Sequence, residues 1–272
     1  MSAVRVLDDA DLRRMAPAIF TMEPHIYRSD KYRFVPTIDV VNKLRTEGFL
    51  PVQAGQGKSR GQGTAQYARH VIRFRREKDV VMRKRVVGEE VPEIVLLNSH
   101  NGGASYQLLA GLFRLVCSNG MVVSSSNFGS LRFKHKGDED LPSKIIEASY
   151  EIIEEVPKVM EQVDAMKSVL VSPRQQAAFA TAAIELRKTA LDIEPVRLLE
   201  ARRSEDQPEG RNGERSVWRT FNVVQENLTK GGVEGRSSRG TRRLGAISNL
   251  SDDALLNKAL WTLADELRKA AA

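Results

Sequence analysis

Arginines at every second position are the first chemistry this sequence offers. Tyr67, Arg69, Val71, Arg73 and Arg75 alternate with Ala68, His70, Ile72 and Phe74. A period of two predicts a strand over Tyr67 to Arg76 with one apolar face and one cationic face. Guanidiniums at strand spacing beside an aromatic ring suit a groove that follows a sugar-phosphate backbone. A solvated sheet face would show the same pattern. Leu131 to Lys136 alternates again and puts Arg132, Lys134 and Lys136 on one side. Between Ala54 and Arg85 ten cations stand against only Glu77 and Asp79, which exceeds the net +7 of the whole 272-residue chain. The remainder is therefore near neutral. Such a local excess, with a pI of about 9.6, is the electrostatic footprint of a polyanion binder. The candidate phosphate contacts are Lys58, Arg60, Arg69, Arg73, Arg75 and Arg76, with Arg83, Lys84, Arg132 and Lys134 as a second group.

Catalytic chemistry is poorly represented. His25, His70, His100 and His135 are dispersed, without the helical spacing of a zinc hydrolase. His100 sits in a turn with Asn98 and Asn101 and is expected to bond its own loop. Cys117 is the single cysteine; it excludes an internal disulfide, fits a reducing compartment, and reads as a packed thiol rather than a reactive thiolate. The serine elbow G-x-S-x-G is absent. The loop AGQGKSRGQGTA, Ala54 to Ala65, has Gly57-Lys58-Ser59 but Val52 where a P-loop requires glycine. It reads as a flexible hairpin loop, or as backbone amides and cations laid against phosphates. The β region offers no paired carboxylates for a two-metal nuclease. The expectation is a protein that is not an enzyme and needs no metal or cofactor. No apolar run approaches the roughly 20 residues that cross a bilayer. The first residues lack the apolar core of a signal peptide, and a cytoplasmic location is expected.

The elements that must position these side chains divide the chain in three. Residues 1–36 read as an irregular arm with one short helix near Asp8 to Met15. Residues 37–136 read as an α+β nucleic-acid-binding core. It opens with a helix from Thr37 to Glu47, capped by Thr37 and ended by Gly48. Strands are expected from Phe49 to Gln53, from Tyr67 to Arg76 and from Ile94 to Leu97, with a second basic hairpin or an exposed loop over Asp79 to Val91. Tyr106 to Val116 fits a strand or a helix equally, and Asn119-Gly120 is a tight-turn signal. Residues 137–272 read as helical. Pro157 kinks or ends the first helix, and Ser172-Pro173 starts another. Residues 201–215 look like a surface linker. Ser216 to Lys230 is helical, Gly235 to Leu244 is a second basic loop, and Ser251 caps the last helix. The predicted fold is α+β: an antiparallel sheet with basic hairpins in the N-terminal half, packed on a helical C-terminal half.

Two resemblances add to this. Asn98-Ser99-His100-Asn101-Gly102, the run Gly111 to Gly120 (GLFRLVCSNG), the run Trp218 to Asn227 (WRTFNVVQEN) and Ala259 to Ala264 (ALWTLA) resemble the phage- and plasmid-like protein family built on domain of unknown function 932. That resemblance spans nearly the whole chain and implies relatives without implying an activity. By element order alone the chain is also similar to the single-strand annealing recombinase superfamily. This second likeness implies a ring or filament of identical subunits that holds single-stranded DNA in a basic groove without ATP. The functional expectation is a mobile-element DNA-binding protein that anneals single strands during recombination. The rival expectation is a protein-binding anti-defence or regulatory factor.

Overall fold

A computed structural model describes residues 5–25, 34–57, 64–81, 90–101, 105–114, 120–122, 131–133, 140–247 and 250–272. The chain forms two compact units. The first runs to Val156, residues 123–125 excepted, and the second begins at Pro157.

The first unit is α+β. Helix α1 (Asp9–Met15) is capped by Asp8, whose Oδ1 accepts from the Asp11 amide at 2.8 Å. The expected irregular arm is anchored: Leu7, Leu12, Ala16, Ala18 and Ile19 are buried, and the Leu7 amide donates to Pro51 O at 2.8 Å. Helix α2 (Thr37–Thr46) buries Ile38, Val40, Val41 and Leu44. It ends at Gly48, where φ is +78° and only glycine is unstrained.

The sheet follows: β1 (Phe49–Gln56), β2 (His70–Arg76), helix α3 (Glu77–Val81), then β3 (Glu90–Asn98), β4 (Tyr106–Arg114), β5 (Gly120–Val122) and β6 (Leu131–Phe133). The strands run antiparallel in the order β1-β2-β3-β4-β5, with β6 also on β4. The ambiguous stretch after Tyr106 is thus a strand, because its apolar residues can pair with the branched run of β3. Of the stretch Asp79 to Val91, expected as a second basic hairpin or loop, Asp79 to Val81 ends α3, Glu90 and Val91 open β3, and residues 82–89 lie outside the described residues.

One expectation for β2 is overturned. Tyr67 belongs to a short 3-10 turn and Arg69 precedes the strand. From His70 to Arg75 every residue is buried. Because β2 lies between β1 and β3 and is buried along both faces, neither face is left to solvent.

Helix α4 (Leu141–Ser168) contains Pro157, which removes one backbone donor from the helix interior. Up to Val156 it belongs to the first unit, where Ile145, Ala148, Ser149 and Ile152 are buried. The division between the two units falls at the proline.

The second unit is mostly helical. Strand β7 (Leu170–Val171) forms a two-rung antiparallel ladder with β8 (Arg215–Ser216). Ser172, directly after β7, caps α5 (Pro173–Arg187) in a capping box with Gln175. After the short α6 (Pro195–Leu198), Ser216 ends β8 and caps α7 (Val217–Lys230), accepting from the Arg219 amide at 3.2 Å. The unit closes with the hairpin β9 (Glu234–Ser237) and β10 (Gly240–Arg243) and with α8 (Leu250–Ala271), in which Ser251 lies inside the helix rather than capping it. Trp218 and Phe221 of α7 meet Trp261 of α8 edge-on, with ring centroids 6.2 and 6.0 Å apart.

Residues 201–215 lie largely at the surface, and several of them are fastened to α7 and α5. Helix α7 is buried on its polar positions too, and those side chains need partners. Asn227 donates to the carbonyls of Leu198 and Glu200 at 2.9 and 3.0 Å and accepts from Arg202 at 2.6 Å. Buried Glu226 takes Arg203 at 2.6 Å and Lys230 at 2.7 Å. Arg215 donates to Gln176 Oε1 and to the carbonyls of Asp206 and Leu199.

Candidate nucleic-acid interface

The arginines expected to line a trough on β2 do not face solvent. Arg73 and Arg75 are 7 % and 3 % exposed. Arg73 Nη1 lies 2.9 Å from Glu93 Oε2, and Arg75 Nε lies 2.7 Å from Glu93 Oε1. Alternation puts both guanidiniums on one side of β2, as expected, but the carboxylate of β3 claims them there. A buried cation needs a counter-charge or it cannot stay charged. Glu93 was the residue that sequence reasoning missed. Its signal was a lone carboxylate inside the apolar run Val91 to Leu97. The neighbouring strand makes room for it: Glu93 pairs with Gly111, where a Cβ would sit 2.9 Å from Val95 Cγ2 and 3.2 Å from Glu93 Cβ.

The other candidates are scattered or undescribed. Arg69 is half-buried, and its carbonyl accepts from the Gly57 amide at 2.8 Å. The Arg76 guanidinium lies 5.8 Å from the Phe49 ring and 5.9 Å from the Tyr150 ring. Arg132 takes its place on β6 opposite Gln107. Lys58, Arg60, Arg83, Lys84 and Lys134 lie outside the described residues.

The Asn98-Ser99-His100 block lies in the interior. Thr37, expected to cap α2, is instead its first helical residue; Pro36 holds the cap position, and the Thr37 hydroxyl turns inward. Its Oγ1 lies 2.9 Å from His70 Nε2, 3.1 Å from His100 Nε2, 3.0 Å from Asn98 Nδ2 and 3.2 Å from Tyr106 Oη. The partners dictate the protons. His70 Nδ1 is 2.9 Å from the Ala68 carbonyl, which can only accept, so Nδ1 carries the hydrogen and Nε2 accepts from Thr37. The two lone pairs of Thr37 then accept from Asn98 Nδ2–H and His100 Nε2–H. Tyr106 Oη donates to Val35 O at 2.9 Å. All five side chains are buried, so the cluster ties α2 to β2, β3 and β4 rather than meeting a substrate.

Burial pushes the His70 imidazole from 6.5 down to about 4. The unfolded chain therefore takes the proton first, and stability falls as pH drops through the window from 6.5 to 4. By pH 4 the loss is about 3 kcal/mol. Urea midpoints across that window should shift steadily for the native chain, and this slope should shrink in His70→Asn. An unchanged slope in the variant would refute the assignment.

An exposed cationic element does exist, in the second unit. The hairpin β9–β10 reads EGRSSRGTRR, and Arg236, Arg239, Arg242 and Arg243 are all exposed. Sequence reasoning noted it as a basic loop but not as a site. Its base is rigid. The amides of Asp192 and Arg236 donate to each other's carbonyls at 2.8 and 2.7 Å, which adds a rung beside β9. A Cβ on Gly235 would sit 2.8 Å from Ile193 Cγ1. Gly231, at φ +66°, has Leu244 O where its Cβ would be. At the tip, Gly240 adopts φ +99° and Ser237 Oγ donates to Gly240 O at 2.9 Å. Arg243 and Glu234 approach to 3.6 Å with side chains 74 % and 54 % exposed, a contact too hydrated to hold the arginine firmly. Among the described residues, no carboxylate pairs with Arg236, Arg239 or Arg242.

No helix among the described residues is long and apolar enough to cross a membrane. No solved structure matches the chain. Two relatives come from Escherichia coli (strain K12). UPF0380 protein YafZ is 40 % identical over 267 residues, 97 % of this chain and 92 % of its own length. UPF0380 protein YfjQ is 39 % identical over the same shares. Residues 24–261, a span that takes in the buried Asn98-Ser99-His100 block, the polar face of α7 and the arginine hairpin, match the family described as Domain of unknown function (DUF932), and the chain belongs to that family.

Proposed function

We propose that this chain is a DNA-binding protein that holds phosphates through the arginine hairpin β9–β10 and contributes no bond-making chemistry of its own. The observation that supports this is a rigidly based ribbon with four exposed arginines and one carboxylate, Glu234. Guanidiniums make bidentate contacts with phosphate oxygens, and phosphate contacts need no particular base sequence. Single-strand annealing, the finer form of the reading, drew on a trough along β2. With Arg73 and Arg75 committed to Glu93, that support is gone, while the hairpin supports DNA binding without it.

Fluorescence anisotropy with labelled DNA at several salt concentrations tests the proposal. Affinity should fall log-linearly with salt, with a slope near −0.9 per phosphate contacted on duplex DNA and about −0.7 on single strands. Absence of binding at low salt would refute it. If a host protein were then retained from nuclease-treated lysate, the rival reading of a protein-binding factor would take its place.

A further inference from the structure

We infer that the ribbon β9–β10 is a groove reader: its tip enters the major groove of duplex DNA rather than offering a platform to a single strand. The inference rests on the DNA-binding reading above and specifies the form of the ligand.

Three observations carry it. The first is where the cations point. Cross-strand partners share a face, and the register pairs Thr241 with Arg236, Arg242 with Gly235 and Arg243 with Glu234. Arg236 and Arg243 therefore lie on one face of the ribbon and Arg242 on the other, while Arg239 occupies the two-residue turn. A strand lying on a flat surface is met from one side only. Gly235 shares the face of Arg242 and packs on Ile193, so both faces are open only beyond it; there, cations on both faces and in the turn suit a tip with a phosphate wall on each side.

The second is the placement of the acids. Glu234 sits at the ribbon's base, opposite Arg243, and Asp192 flanks β9 further along, opposite Arg236. Beyond that level, Ser237 to Arg242 holds two arginines and no carboxylate. Repulsion from phosphates is thus confined to the stretch up to Arg236, and the tip is the attractive part.

The third is composition and size. Residues 234–243 contain no aromatic side chain, and sequence-tolerant binding of single strands draws much of its affinity from bases stacked on such rings. Two strands about 4.8 Å apart, with side chains, match a groove about 12 Å wide. The major groove of an RNA duplex is too narrow and deep for such an element.

The test uses the full chain and R236Q/R239Q/R242Q, which leaves the Arg243–Glu234 contact in place. All three are exposed, and an unchanged melting temperature checks that folding is intact. Anisotropy is measured with matched duplex DNA, single-stranded DNA and duplex RNA, and with duplex DNA methylated at guanine N7, which blocks the major groove. The native chain should prefer duplex DNA over the other two by at least tenfold and lose most of that preference on the N7-methylated duplex. The triple variant should lower the log–log salt slope on duplex DNA by up to about 3, one phosphate per arginine. Equal or tighter binding of single strands, or indifference to N7 methylation, would overturn the groove assignment and leave DNA binding standing. An unchanged salt slope in the variant would remove the ribbon from the interface. Binding to acidic protein alone, with no DNA affinity, would remove both readings.

Discussion

Replacing Glu93 with alanine is expected to destabilise the first unit by about 3–5 kcal/mol, a large share of the roughly 5–15 kcal/mol that holds a domain folded. Two guanidiniums converge on this carboxylate, at 2.9 and 2.7 Å, and both are almost sealed from water. Removing it takes this shared counter-charge from two like charges that water can hardly reach. Chemical denaturation followed by far-ultraviolet circular dichroism reads the loss, and a midpoint within error of the native chain would refute it. Glu93→Gln should recover little, because the amide keeps one acceptor and brings donors toward two groups that only donate. Replacing Arg73, Arg75 and Glu93 together with apolar residues of similar volume should be far milder than Glu93→Ala, since the cost lies in orphaned charge rather than in a missing attraction. For the same reason, loss of DNA affinity in Arg73→Ala or Arg75→Ala would report unfolding, not a missing phosphate contact.

Thr37→Val should cost on the order of 4 kcal/mol although the two side chains have nearly the same shape. The methyl that replaces the hydroxyl leaves the Asn98 amide, the His100 Nε2–H and the His70 Nε2 without their shared partner, and each stranded buried polar group costs about 1–3 kcal/mol. Thr37→Ser keeps the oxygen and loses one methyl, so it should cost about 1 kcal/mol. Equal stabilities for the valine and serine variants, measured by thermal or urea unfolding, would show that the hydroxyl is not the hub of the cluster.

Much of the fold could be read in the residue pattern. Period two marked β2, a short branched apolar run marked β3, Ser172-Pro173 marked a helix start, and Gly48 marked a helix end. These are local signals, written within one element. What could not be read was which other element lies opposite. Arg73 and Arg75 carry the same period whether they face water or Glu93, and the deciding carboxylate lies eighteen residues or more along the chain. Thr37 met every local requirement of a helix cap, yet its partners arrive from residues 70, 98, 100 and 106. Residues 201–215 were polar enough to read as a linker, because the buried amides and carboxylate of α7 that hold them do not look buried in a sequence. Arginine ribbon and arginine loop share one composition, and only the Asp192 rung and the packing of Gly235 separate them.

The small ladder between β7 and β8 has a consequence for how the second unit tolerates change. Each of its strands runs straight into a helix start, through Ser172 on one side and Ser216 on the other. There is no slack between rung and cap. One added residue at either junction would turn the following helix by about 100° about its own axis. For α7 that would carry Trp218 and Phe221 away from Trp261 while swinging Asn227 off the carbonyls it secures. The angular phase of two helices is thus set by a two-rung hinge pin, and length variation in this unit must fall elsewhere.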